Sequence, residues 1–430
     1  MFDSNGAART KTLSAQFQGY EGPPFSVRLW DGWTWFSSTT RKPECTLVLN
    51  NPETLGTLIA SPNEITLGEA FIHGDLDVEG DIFSVFPVAE HLFNRPRAVS
   101  QKIAERLAGA AFGVGQLIKH GSIYSERRDR ASIAYHYDQP VAFFEPWLGK
   151  SMVYSCAYFR SENDSLDQAQ EQKLDLICRK LRLERGERFL DIGCGWGSLL
   201  LDAASRHQAL VQGITLSREQ AETARRRIEQ AGCGLSCQVE LRDYRRLDGA
   251  LQMFDKIASV GMVEHVGLKV LPQYFGTAHR LLKPGGLFLN HGIARSDASP
   301  PRQSSFISRY VFPDVRLATL SETLTAAESH GFEVRDVECL REHYELTLRR
   351  WVEGLKQNAD ALLKLVPEVT YRIWLLYMTG SAAAFRRGDI GVYQVLLSKP
   401  DRGKTRLPLT REDVYERAGV GEEVAMSGVG

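Results

Sequence analysis

The sequence predicts two folded parts: an α/β domain built on a mostly parallel sheet, preceded by a smaller α+β domain. The first rests on short apolar runs, RFLDIG, ALVQGITL, CQVELRD, FDKIASVG and LFLNHGIA, that alternate with helical stretches from Arg188 onward. The second rests on a change of rhythm before Asn94, where PFSVRLW, TWFSS and TLVLN read as strands divided by Gly, Pro and Asn. A chain of 430 residues is also too long for one ordinary domain.

In chain order, a helical piece PETLGTLIA follows the early strands, and then an acidic, glycine-punctuated segment GEAFIHGDLDVEGDI. From Arg95 to Gly121 the apolar residues Val99, Ile103, Leu107, Ala111, Val114 and Ile118 recur at helical spacing. Arg95, Arg97, Lys102, Arg106 and Lys119 flank or interleave them. This stripe reads either as a connecting helix half-buried on a domain core, the commoner arrangement, or as a basic amphipathic segment touching a membrane surface. The charged break ERRDR (126–130) ends a linker over 121–130, dividing an N-terminal part, 1–120, from the α/β domain, 131–400. Helices are expected around LSETLTAAESHG, YELTLRRWVEGLKQ and TYRIWLLYMTGSAAAF, then a last strand, IGVYQVLLSK. The polar tail, 401–430, is expected to be loosely held.

Composition narrows the function. With 52 basic and 53 acidic residues, the formal charge of −1 lacks the surplus that a nucleic-acid partner favours. The start, MFDSNGAARTKTLSAQF, has no apolar signal core. The apolar stretches 373–385 and 108–118 fall short of the roughly 18 to 20 residues that span a bilayer. Seven scattered cysteines read as reduced thiols in a cytoplasm, and Cys233 and Cys237 lack the second pair a zinc site would need.

The sharpest local signal is RFLDIGCGWGSLLL (188–201). An apolar strand carries Asp191 near its end, Gly193, Gly195 and Gly197 form a loop, and a helix opens at once. Glycines allow tight turning and close ligand approach, and a helix N-terminus offers unpaired N–H groups. Ser198 breaks the nicotinamide pattern G-x-G-x-x-G. DIGCGWG instead resembles the first motif of S-adenosylmethionine-dependent methyltransferases, which implies a Rossmann-like catalytic domain. The resemblance assigns the cofactor to Tyr154, Ser155, Asp191, Gly193, Gly195, Gly197, Thr215, Leu216, Gln220, Asp243 and Tyr244. The sequence departs from the class in one respect: Thr215 and Gln220 stand where an acid often meets the ribose hydroxyls, with Glu219 as a fallback.

Longer segments are more specific. YHYDQPVAFFEPWLGKSMVYSCAYF (135–159), SVGMVEHVG, LNHGIA, HYELTLRRW and AAAFRRGDIGVYQVLLSK resemble cyclopropane-fatty-acyl-phospholipid synthases and mycolic-acid cyclopropane synthases. The likeness spans about residues 130 to 400. The N-terminal portion resembles the extra domain of the phospholipid-type enzymes, which favours phospholipid acyl chains as substrate. The resemblance implies attack by a cis double bond on the sulfonium methyl, followed by proton removal by a bound bicarbonate so that the ring closes. Its holders, carried over by motif, are Cys156, Glu264, His291, Ile293 (through its backbone) and Tyr344. Each has a plainer reading alone: Cys156 as a small buried hydrophobe, Glu264 as a helix cap, His291 as a structural histidine, Tyr344 as a helix-face tyrosine. Ser381 replaces the cysteine some relatives carry before AFR, which disfavours a covalent cysteine mechanism. The resemblance further implies a cytoplasmic protein at the inner face of a membrane, with a homodimer resting on likeness alone. The rivals are a lipid methyltransferase that stops at a methylene- or methyl-branched chain, a small-amine N-methyltransferase, and a non-enzymatic lipid-binding protein.

Overall fold

The computed structural model describes residues 4–60, 62–94, 139–247, 252–298, 305–312 and 316–415. The helical stripe expected over 95–121 and the linker over 121–130 lie outside the described residues.

The N-terminal part is a four-stranded sheet in the order β2-β1-β3-β4. Its strands are β1 (Phe25–Arg28), β2 (Thr34–Phe36), β3 (Cys45–Leu49) and β4 (Leu76–Gly80). Four helices accompany it, α1 (Ser4–Gln16), α2 (Pro52–Ala60), α3 (Glu64–Ile72) and α4 (Val85–Phe93). Phe17, Phe25, Val27, Leu47, Leu49 and Leu92 form its core. Strand β4 arises inside the segment read only as acidic and glycine-punctuated. It is an edge strand on which Leu76 alone is fully buried, so Asp77 and Glu79 remain on its outer positions.

The second sheet has seven strands in the order β10-β11-β9-β8-β5-β6-β7. Strands β5 (Arg188–Ile192), β6 (Leu210–Thr215), β7 (Cys237–Leu241), β8 (Phe254–Val260) and β9 (Leu282–Arg295) run parallel, and β11 (Ile390–Ser398) and β10 (Glu333–Cys339) pair antiparallel at one edge. Strand β10 was not foreseen, because EVRDVEC carries charges through an otherwise alternating run and lies at the sheet edge. Helices α5 (Val141–Leu148), α6 (Leu166–Leu181), α7 (Ser198–Arg206), α8 (Arg218–Gln230), α9 (Leu271–Leu281), α10 (Ser305–Tyr310), α11 (Leu320–Glu328), α12 (Arg341–Gln357), α13 (Ala359–Leu362), α14 (Glu368–Arg387) and α15 (Glu412–Tyr415) accompany the sheet among the described residues. Among the described residues no helix is long and apolar enough to cross a membrane.

The two parts dock through α3, β4 and α4 against α10 and α14. Arg372 donates to Asp77 Oδ1 at 2.6 Å and to the Phe71 carbonyl at 3.0 Å. Tyr310 donates to Glu69 Oε1 at 2.7 Å, and Arg387 pairs with Glu90 at 2.8 Å. A Cβ on Gly68 would meet the Phe306 ring at 2.5 Å, so only glycine lets α3 approach so closely. Phe71, Ile72 and Ile82 thereby join one apolar cluster with Phe143, Trp147, Trp351 and Trp374.

The expectation of a loose tail fails for residues 401–415. Val414 is buried, Arg182 grips Asp413 with bonds of 2.7 and 2.9 Å, and Arg411 reaches Asp336 at 2.9 Å. A polar composition hid this, because the anchoring partners lie on α6 and β10.

Candidate active site

The cofactor loop begins where β5 ends. Gly193, Gly195 and Gly197 have φ of +87°, +53° and +86°, a region that L side chains rarely adopt. Their surroundings differ. A Cβ on Gly193 would meet the Met262 side chain at 3.1 Å, and one on Gly197 would meet Ala224 Cβ at 3.1 Å. At Gly195 nothing lies within 4 Å, so the missing side chain leaves open space.

That space belongs to a cavity at the carboxyl edge of the sheet, where open α/β sheets bind ligands. Of the residues that the resemblance assigned to the cofactor, Tyr154, Ser155, Asp191, Gly193, Gly195, Thr215, Leu216, Gln220 and Tyr244 line it. Gly197 and Asp243 do not. Gly197 instead caps α7 and lets it pack on α8. The Asp243 carboxylate is taken by Arg245, with bonds of 2.9 and 2.7 Å, and also accepts the Arg245 N–H. Arg242, Tyr244 and Arg245 line that part of the cavity in its place. Thr215 donates to Gln220 Oε1 at 2.8 Å, and Gln220 is buried while Glu219 is exposed. The Thr215–Gln220 pair, not the fallback Glu219, thus faces the cavity.

Two further wall residues, Trp196 and Lys173, escaped sequence reasoning. Trp196 sits inside the glycine motif itself. Lys173 shares the buried stripe of α6 with Gln170, Leu174, Ile177 and Leu181, so a polar residue at an apolar-stripe position was its available signal.

The residues present fit an S-adenosyl ligand. Burial raises the Asp191 carboxyl to about 7 against the opposing Lys173 charge, and its Oδ1 has no hydrogen-bond partner. A buried carboxylate oxygen in a cavity wall suits an ammonium group.

The proposed base cluster lies one strand pair away. Strand β8 stops at Val260, opposite His291, so β9 beyond that point has no β8 partner on this side. The 3-10 turn Val263–His265 brings Glu264 there, and its Oε1 accepts the Ile293 N–H at 2.8 Å. Glu264 Oε2 is buried without a partner, and burial raises the carboxyl to about 7. His291 follows Leu287 and Leu289 on the same face of β9 and is 1% exposed. Its Nδ1 pairs with the Gln394 amide Nε2 at 3.2 Å, which assigns its proton to Nε2, an atom that is itself buried and unpartnered. Burial holds His291 well below the usual histidine range, so the ring is neutral.

Cys156 is fully buried, and burial pushes its thiol up. Its Sγ lies 3.7 Å from the Leu340 carbonyl. Tyr344 is half-buried on α12, its ring 4.7 Å from Phe385 and 6.0 Å from Trp351. Cys156, Ile293 and Tyr344 all belong to or pack on the aromatic cluster. One expectation needs correction: the Ile293 backbone donor assigned to an anion already has a partner inside the protein. The Ile293 N–H serves Glu264, and the Ala157 N–H beside Cys156 goes to Thr347 Oγ1 at 3.0 Å.

Tyr377 was missed. It hydrogen-bonds with Tyr154 and Ser381, lies within electrostatic range of Glu264, and is raised to about 12 chiefly by burial. Tyr377 and Ser381 are four apart on α14, hence on one face, a spacing that was legible. Tyr154 and Trp196 join the cavity wall to the aromatic cluster: Trp196 lies 5.0 Å from Phe144, and Tyr154 5.0 Å from Trp351.

Known proteins share this architecture. A family model described as mycolic acid cyclopropane synthetase matches residues 124–395, and a domain of unknown function (DUF7884) matches residues 12–95. A probable fatty acid methyltransferase of Pseudomonas putida is 40% identical over 400 residues, covering 91% of this chain and 96% of that protein. The cyclopropane-fatty-acyl-phospholipid synthase of Escherichia coli (strain K12) is 38% identical over 264 residues, covering 61% of this chain and 66% of the relative. The crystal structure of mycolic acid cyclopropane synthase CmaA1 complexed with SAH and CTAB matches with a TM-score of 0.59 at 33% identity, over 62% of this chain and 97% of that one. Glycine loop, cavity and matches converge: the chain belongs to the mycolic acid cyclopropane synthetase family and is an S-adenosylmethionine-dependent cyclopropane or lipid methyltransferase.

Proposed function

We propose that this enzyme transfers a methylene group from S-adenosylmethionine to the cis double bond of unsaturated phospholipid acyl chains at a membrane surface, closing a cyclopropane ring with bicarbonate as base. The observation that carries this reading is that Glu264 Oε2, on the carboxyl held by the Ile293 N–H, and His291 Nε2 are both buried and unpartnered along the same stretch of β9, with Ile293 packed on the aromatic cluster. Buried polar atoms are rarely left unpaired, so two at one strand end call for a polar ligand between or beside them.

S-adenosylmethionine, when bound, supplies an electrophilic methyl group. Bicarbonate would supply an acceptor for the proton lost on ring closure. The chain's residues do the rest. Neutral His291 donates from Nε2 to an anion oxygen without adding a buried charge. The Ile293 N–H holds Glu264 Oε1, which fixes Oε2 as the atom that takes a proton. A carboxyl held near 7 is matched to that exchange at neutral pH. Tyr154 and Trp196 offer aromatic faces to cationic charge. The apolar cluster shared with the N-terminal part supports an acyl chain as the reacting group, because it keeps water from a cation.

A second reading, a methyl-branched product, is favoured by the near full-length likeness to a probable fatty acid methyltransferase. One experiment separates them. Vesicles of monounsaturated phospholipid are incubated with enzyme and S-adenosylmethionine bearing a trideuterated methyl, and the fatty-acid methyl esters are weighed by mass spectrometry. Ring closure leaves two deuterons on the added carbon, with an upfield ring-proton signal that a methylene isomer lacks. A methyl branch keeps three, and unchanged esters would sink both readings.

A further inference from the structure

Helix α6 turns a largely apolar stripe toward the sheet with two buried lysines on it: Lys180, which pairs with Glu338, and Lys173, which lines the cofactor cavity. Lys173 is 2% exposed. A lysine this deep is costly to keep charged, and burial lowers it to about 8. Its Nζ forms a 2.9 Å hydrogen bond with Ser155 Oγ, and Asp191 lies within electrostatic range. An ammonium can only donate, so Ser155 Oγ must accept there, and the serine O–H turns to another partner. The same helix pins the segment by its backbone, since Gln170 Nε2 donates to the Ser155 carbonyl at 3.0 Å. Ser155, Lys173 and Asp191 all line the cofactor cavity, and Asp191 Oδ1 is unpartnered.

The methionyl end of an S-adenosyl ligand is a zwitterion. It needs an acceptor for its ammonium and a donor for its carboxylate. We propose that Lys173 is a positioning residue for this end: it commits the Ser155 hydroxyl to donate to the ligand carboxylate and places a cation in the same cavity wall as Asp191, the acceptor for the ligand ammonium. The proposal rests on the S-adenosyl reading of the cavity and is independent of the lipid. A purely structural lysine would make a different prediction, because its loss would weaken every ligand of the cavity alike.

The test is titration calorimetry with two ligands. S-adenosylhomocysteine carries the amino-acid end; 5′-methylthioadenosine keeps the adenosine and sulfur without it. Lys173→Met should bind S-adenosylhomocysteine about tenfold or more weaker and 5′-methylthioadenosine within about twofold of the parent. Ser155→Ala should show the same selectivity, and adding Lys173→Met to it should cost less than in the parent, the remainder being the part that acts beside Asp191. Lys173→Gln, with a shorter donor, should fall between and guards against a Met variant that does not fold. Equal weakening of both ligands, unchanged S-adenosylhomocysteine affinity, or simple additivity of the two substitutions would overturn the proposal. No lipid enters the measurement, so its failure leaves the acyl-chain reading standing.

Discussion

The two ends of the active site differ in what shapes them, although each holds a buried carboxylate oxygen without a partner, Asp191 Oδ1 at the cofactor end and Glu264 Oε2 at the base end. The cofactor end is shaped by backbone: glycines at positive φ, a helix start, and side chains such as Thr215–Gln220 and Asp243–Arg245 that satisfy one another. The base end is shaped by side chains buried against aromatic rings, with Glu264 Oε2 and His291 Nε2 lacking partners and both groups displaced from their usual titration ranges. The difference shows where chemistry is concentrated. A backbone cradle recognises shape, whereas a dry pocket makes the location of one proton matter, since charge is expensive there.

Separating the two ends by mutation gives the largest expected effect. Glu264→Gln preserves an acceptor for the Ile293 N–H but cannot take a proton, so on the proposed role of Glu264 product formation should fall about 10²-fold or more while S-adenosylhomocysteine affinity stays within about twofold. Lost cofactor affinity would show instead that the two ends act as one. The converse variant, Gly195→Val, puts a branched side chain at φ +53° into open cavity space. S-adenosylmethionine affinity should drop by about tenfold or more in calorimetry, and unchanged binding would remove the loop's assignment.

The pH profile sharpens the contrast. With Glu264 raised to about 7, kcat/KM should climb about tenfold per pH unit below that point and level off above it. The same slope in Glu264→Gln would place the titrating group elsewhere. Stability carries a related signature. Glu264 titrates at an ordinary 4.5 when unfolded and at about 7 when folded, so its cost is absent below about 4.5, grows between the two values, and is complete above 7. In denaturant unfolding, Glu264→Gln should therefore gain about 3 kcal/mol at pH 8 and nothing at pH 4. The smallest effect belongs to the domain contact. Arg372→Ala should cost about 1 kcal/mol, allowing for solvent screening of Asp77, and slow vesicle turnover without changing S-adenosylhomocysteine binding. Unchanged vesicle turnover would detach the N-terminal part from lipid handling.

The same division separates what was legible from what was not. The glycine loop, the parallel strands and part of the cavity wall could be read from the sequence, because strand periodicity and the demand for positive φ are written in neighbouring residues. Strand β10 and the anchored stretch 401–415 could not, because each looks polar by itself and gains its place from distant partners such as Arg182 with Asp413. Asp243 stood at the expected position, yet its carboxylate turned to Arg245. Residue types at the base end were recognisable, but their state was not: His291 meets Gln394 across 103 positions, and Glu264 meets Ile293 only because β8 ends one step early. By itself the sequence determined the parallel strands of the sheet, the cofactor loop and the candidates for chemistry. Tertiary structure alone decided which polar groups are buried, which are paired and which remain for a ligand, because desolvation depends on everything packed around a group and not on its neighbours in the chain.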